Sequence, residues 1–297
     1  MTWEELWQRF SERGRLRPRT LDFYFKHVRS FWAFFPGLEA RNVQTKHLRE
    51  FFAAELERKG RGSAARKTRS VCVLLRWAHR QDLLLHDPCD GFVVPKVAAA
   101  LMPILSLAQV NQLLEAPLSA RRRFVRARDL AILEVLYGCG LRGGELLGLQ
   151  LGDIDLAGEL LTIRQSKGRP RQVPMGRRAA QALERYLLDF RPVLAPRGET
   201  AVWLDFSGHR ALTSSGLGTM LRRYGQKLGI NGLSAHALRR ACATHLLENG
   251  ANIVDIKTLL GHADINSTLH YAKVFPVELR KAHQHHHPRA RLNHGRQ

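Results

Sequence analysis

Leu21, Tyr24, Val28, Phe31 and Phe35 recur at steps of three and four residues, and Leu48, Phe51, Phe52 and Leu56 repeat that spacing before Gly60. This is the period of a helix with one apolar face. Ser63 is placed to cap a following helix, AARKTRSVCVLLRWAHRQ, where Val71, Leu74, Leu75 and Ala78 share a side. Residues 1–87 therefore read as helices only. The stretch PCDGFVVPKVAAALMP carries three prolines and marks a linker over 88–104. Ser106 with Gln109 then forms a capping box ahead of an apolar run. From 105 to 297 the pattern changes. RARDLAILEVLYGCG is an apolar helix closed by Gly138 and Gly140, ELLTIRQSKGRPRQVPM reads as two strands joined by a turn, and TAVWLDF reads as a short strand. RRAAQALERYLLDF, SSGLGTMLRRYGQKLG, SAHALRRACATHLLENG and NIVDIKTLLG read as helices. The expected fold class is mainly α with a small β-sheet: a helical N-terminal domain, a linker, and an α+β domain.

Charge narrows the partner. Lys and Arg number 47 against 26 Asp and Glu, a formal net charge of +21. A protein this basic usually meets a polyanion, and nucleic acid is the default. Arg66, Arg69, Arg76 and Arg80 fall within an arc of roughly 80° at the ideal helical period. A solvated helix face normally mixes signs, and this one is positive throughout, so it reads as a grip on the DNA backbone. A membrane surface is the competing partner, but no basic amphipathic anchor stands out, and the apolar stretch around VVPKVAAALMPIL is too short and interrupted to span a bilayer. MTWEELWQRF lacks the pattern of a secretory signal, and the four scattered cysteines read as buried free thiols, so a cytoplasmic location is expected. The HQHHHPRA run fixes no coordination geometry and is not read as a metal site.

Four separated segments carry residues suited to phosphate chemistry. In GCGLRGGELLGL, Arg142 lies between a helix end and a helix start, where its guanidinium can take a phosphate by a bidentate pair, and Glu145 can orient it. Taken alone, the pair would be a surface salt bridge. In SAHALRRACATHLL, His236 and Arg239 share a helix face, while Lys167 sits at the tip of the expected hairpin and could protonate a leaving oxygen. In LLGHADINSTLHYAKV, His262 and Tyr271 are nine positions apart, which puts them on opposite faces of any unbroken helix. The ADINS segment offers the break, with Asn266 or Ser267 starting a new short helix.

In this order, and ending in GHADINSTLHY, the segments resemble the tyrosine recombinase (integrase) family, especially the bacterial Xer recombinases. The resemblance spans nearly the whole chain, and the final YAKVFPVELRKAHQHHHPRA also looks like the end of a Xer recombinase. It implies a two-domain tyrosine recombinase: a helical core-binding domain that clamps DNA over 1–87 and a catalytic domain over 105–297 with a C-terminal segment for protomer–protomer contact. It further implies that Arg142 and Arg239 clamp the scissile phosphate and that His236 and His262 hydrogen-bond it. Lys167 would protonate the departing 5′-oxygen, Glu145 would support the site, and Tyr271 would be the nucleophile. Two features are less tidy: Arg240 stands where Xer-like sequences commonly have histidine, and Arg169 is a rival to Lys167 at the hairpin tip.

Elementary chemistry agrees with that set. A tyrosine hydroxyl, with an ordinary pKa near ~10, needs help at neutral pH. Two guanidinium groups and imidazole donors can neutralise charge growing on the non-bridging oxygens, in place of metal ions. The expected function is site-specific recombination of double-stranded DNA through a 3′-phosphotyrosine intermediate, for integration, excision or dimer resolution. No cofactor and no metal are expected. The expected assembly is a homo- or hetero-tetramer on DNA sites, with a partner recombinase or accessory protein open. The alternatives are a type IB topoisomerase-like enzyme and a DNA-binding protein that has kept the fold without catalysis.

Overall fold

The computed structural model describes residues 1–13, 16–95, 103–164 and 170–261. The chain divides into two compact units, Met1–Leu101 and Met102–Gln297.

The first unit is helical: α1 (Trp3–Glu12), α2 (Pro18–Phe34) and α3 (Thr45–Arg80). Thr2 and Glu5 form a capping box at the start of α1, and Pro18 opens α2. Within α3 only Gly60 leaves helical geometry, at φ +76°. The break is sharp. Lys67 Nζ lies 2.9 Å from Glu55 Oε1, whereas twelve residues of straight helix would hold them about 18 Å apart. Glycine takes that left-handed turn without a Cβ clash. The helix resumes directly after Gly60, so Ser63 lies inside it rather than capping it. The apolar faces of the three helices meet in an aromatic core, with Phe31 5.1 Å from Phe51 and Phe10 5.2 Å from Trp77 between ring centres. Cys89 and Phe92 are buried in the same core, so the first residues after Asp87 pack on the helices rather than running free.

The second unit is built around α5 (Arg123–Gly138), where Ala131, Ile132, Leu133, Val135 and Leu136 are fully buried. A helix apolar on so many sides must be surrounded. Its neighbours are α4 (Leu107–Glu115), α7 (Arg177–Arg185) and α10 (Ala235–Glu248). The Ser106–Gln109 capping box forms at α4. Short α6 (Gly143–Leu147) leads to an antiparallel sheet of β1 (Ile154–Asp155), β2 (Leu160–Ile163) and β3 (Arg171–Pro174), in that order. Ile163 pairs with Arg171 and Leu161 with Val173. The other α-helices among the described residues are α8 (Arg191–Leu194), α9 (Ser214–Lys227) and α11 (Ile253–Leu260).

Two expectations change. RRAAQALERYLLDF is not one α-helix: α7 passes through a π turn at Tyr186–Phe190 before α8. Pro192 lies in the first turn of α8 and has no N–H for the preceding ladder. TAVWLDF makes only isolated bridges, Gln150 with Ala201 and Leu204 with Ala211. Side chains share its backbone with a few loop hydrogen bonds, such as Val202 N–H to the Leu149 carbonyl. The Arg191 guanidinium donates to the carbonyls of Glu199, Ala201 and Val202, and the Tyr186 hydroxyl donates to Val202 while accepting from the Leu204 N–H.

Candidate active site

Three arginines from three elements converge on one buried carboxylate. Arg142 sits at the N-cap of α6, and its backbone N–H donates to Glu145 Oε2 at 2.9 Å while Nη1 donates to Oε1 at 2.7 Å. Arg171 on β3 makes a parallel fork, Nη1 to Oε1 at 3.1 Å and Nη2 to Oε2 at 3.0 Å. Arg239 on α10 places Nη1 3.7 Å from Oε2. Burial alone would push the Glu145 carboxyl up. Hydrogen bonds from Arg171 and from the backbone and side chain of Arg142 outweigh it and bring the pKa down to about 2.

The arginines also bind the ends of helices. Arg239 is 1% exposed and donates to the carbonyls of Gly140 at 2.8 Å and Leu260 at 2.6 Å. Those carbonyls close α5 and α11, so one guanidinium ties three helices at the site. Arg171 Nε donates to Leu259, and Arg142 Nη2 reaches Gly261 at 3.4 Å. Gly261 caps α11 in the left-handed conformation, and His262 follows it in the chain.

His236 occupies the first turn of α10, which Ser234 caps through the Ala237 N–H. Its ring is exposed. Partial desolvation, then the charges of Arg240, Arg239 and Arg142, hold its pKa below the ordinary value. A groove of about 810 Å³ beside α6 is lined by Gly143, Gly144, Gly218, Ser234 and Ala235, whose small side chains leave room for a close backbone approach.

Of the sequence-read site residues, Arg142, Glu145 and Arg239 come together, and His236 lies within their field. Lys167, His262, Tyr271 and the rival Arg169 lie outside the described residues. Arg66, Arg69, Arg76 and Arg80 are all exposed on α3, in the other unit. Arg69 donates to the Pro95 carbonyl at 3.2 Å, and Arg76 stands 4.0 Å from Asp87, so that face is not wholly without negative charge. Arg171 escaped the sequence reading. Its signal was strand parity: it falls on the same face as the buried Val173 and Met175, so its side chain is directed inward.

Residues 103–277 match the Phage integrase family. The chain is 37% identical over 265 residues to the tyrosine recombinase XerD of Proteus mirabilis, covering 88% of this chain and 83% of that one. Among solved structures it is similar to the XerA recombinase, at 26% identity and a TM-score of 0.54, with 96% of this chain and 97% of that chain covered. It also shares its fold with the Tn1549 transposon integrase in complex with transposon right end DNA, at 20% identity, a TM-score of 0.76, and coverage of 96% and 99%.

Proposed function

Because the chain belongs to the Phage integrase family, whose tyrosine recombinases exchange DNA strands, we propose that its catalytic set is Arg142, Lys167, His236, Arg239, His262 and Tyr271, supported by Glu145. The convergence of Arg142 and Arg239, distant in sequence, on one carboxylate beside the end of α11 carries this reading.

The scissile phosphate binds at the solvent-facing side of this arginine cluster, against the outer edge of Arg142 and away from the Glu145 carboxylate. Guanidinium donors neutralise charge on its non-bridging oxygens as the transition state forms, and the His236 and His262 imidazoles hydrogen-bond them. The Tyr271 oxygen bonds to phosphorus as the bond to the 5′-oxygen breaks. Tyrosine gives up a proton and Lys167 supplies one to the departing oxygen, so the step is proton-neutral. The 3′-phosphotyrosine ester retains the phosphodiester energy, and a 5′-hydroxyl from another strand reverses the step without ATP. The fixed cationic donors take the part a metal plays elsewhere. The substrate is double-stranded DNA carrying specific recombination sites. Residues 1–87 clamp it, and the C-terminal segment joins protomers into a cytoplasmic tetramer, of one recombinase or two.

Covalent capture tests this. The protein is incubated with nicked fragments of genomic DNA and denatured, and attached DNA is sequenced. The expected adduct forms in EDTA and disappears with Tyr271→Phe. An adduct that persists in that variant reassigns the nucleophile. Tight binding with no adduct points to a missing partner or activator, or to a protein that only binds DNA. Loss in EDTA with recovery in magnesium overturns metal independence.

A further inference from the structure

We infer that Arg171 is a positioning residue of this site, holding Glu145 so that the outer edge of Arg142 stays available to the substrate phosphate. The inference rests on the assignment of Arg142 and Tyr271 made above. A carboxylate presents one geometry that suits a guanidinium fork, with two parallel bonds to its two oxygens. Arg171 occupies it, donating Nη1 to Oε1 and Nη2 to Oε2 at 3.1 and 3.0 Å. Arg142 is left with one side-chain bond, from Nη1, and its Nη2 has a long contact of 3.4 Å to the Gly261 carbonyl.

Exposure divides the two in the same way. The Arg171 side chain is 12% exposed and that of Arg142 is 32% exposed. Arg171 is thus the inner partner and Arg142 the outer one. Without Arg171, the deprotonated Glu145 would draw Arg142 into the vacated fork, and the charge offered to the phosphate would turn inward. Arg171 also braces the end of α11. Its Nε donates to Leu259 at 3.1 Å, and a Cβ built on Gly261 would fall 2.9 Å from its guanidinium carbon. The brace therefore lies at the residue from which the chain continues to His262.

The test is a double-mutant cycle on single-turnover adduct formation with a nicked duplex of the captured site. Arg171→Lys keeps the charge and loses the fork; Glu145→Gln removes the carboxylate that would capture Arg142. Arg171→Lys is expected to slow adduct formation by about 10- to 100-fold, the scale of a small misplacement of a reacting group. DNA affinity should stay within about threefold of wild type, because few phosphate contacts are touched. In the Glu145→Gln background the same substitution should change the rate by less than about threefold, because the two residues act as one unit. Equal penalties in both backgrounds would reduce Arg171 to a structural brace and overturn the inference. So would a wild-type rate in Arg171→Lys. If Arg171→Lys melts below the assay temperature, Glu145→Gln is compared with Arg171→Gln/Glu145→Gln: matching rates support the inference, and a further loss overturns it. A wild-type chain that forms no adduct would instead remove the site assignment itself.

Discussion

Glu145 is an acid held among cations, and this gives it a pH signature. Its folded pKa, about 2, lies below the ordinary 4.5, so it contributes stability that is fully present above pH 4.5 and lost as pH falls toward 2. The difference corresponds to roughly 3 kcal/mol, on the scale of removing one partner from a buried ion pair. Glu145→Gln should lower the denaturant midpoint at pH 7, and its gap from wild type should narrow steadily between pH 4.5 and 3. A gap independent of pH would place the stabilisation in shape rather than charge. The Arg142–Glu145 pair was legible because three residues along a nascent helix bring two side chains together. The Arg171–Glu145 fork was not, because twenty-six residues and a strand crossing separate its ends, and only the folded sheet brings them into register.

At the scale of elements, the sequence was most informative where local chemistry decides the outcome. Ser106 and Gln109 cap α4 as read, and the helical spacing of residues 21–35 packs α2 on the aromatic core. It misled where side chains from elsewhere compete for backbone, as Arg191 and Tyr186 do along TAVWLDF. Gly140 lies between these cases. A glycine that closes α5 is readable, but the reason it must be glycine is tertiary. It adopts φ +60°, and an added Cβ would lie 2.7 Å from Leu260 Cδ2 and 3.3 Å from Cys242 Sγ, where α11 and α10 press on the turn. Its carbonyl is also the acceptor for Arg239. Gly140→Ala should therefore cost about 2 kcal/mol from backbone strain and overpacking together, and slow adduct formation by shifting Arg239. At Gly144, inside α6, an added Cβ would meet nothing within 4 Å, and Gly144→Ala should stabilise by up to about 1 kcal/mol through helix propensity. Urea midpoints of the two variants would check the contrast. Equal destabilisation would show that chain flexibility, not the local fit at Gly140, is what matters.

At the scale of the whole molecule the net charge of +21 favours a polyanionic partner, but it does not say which face meets it. The α3 arginines give one answer that salt can test. Exposed charges that merely face water release no counterions on binding, whereas each phosphate neutralised contributes about 0.9 to the slope of log affinity against log salt. Arg66 and Arg80 are the informative pair, because Arg69 and Arg76 already have the Pro95 carbonyl and Asp87 beside them. Replacing Arg66 and Arg80 with Gln should weaken DNA binding and reduce the slope by about 2. Arg41 is the control: it is exposed, lies in the same unit, and its Nε is 2.7 Å from Glu39. Its charge is already matched, so Arg41→Gln should leave the slope nearly unchanged. If Arg66/Arg80 and Arg41 behave alike, charge is acting through the long-range field of the molecule, and the α3 face is solvent-facing rather than the clamp. If only the α3 pair flattens the slope, the arginine face that periodicity predicted is where the helical unit meets the DNA backbone.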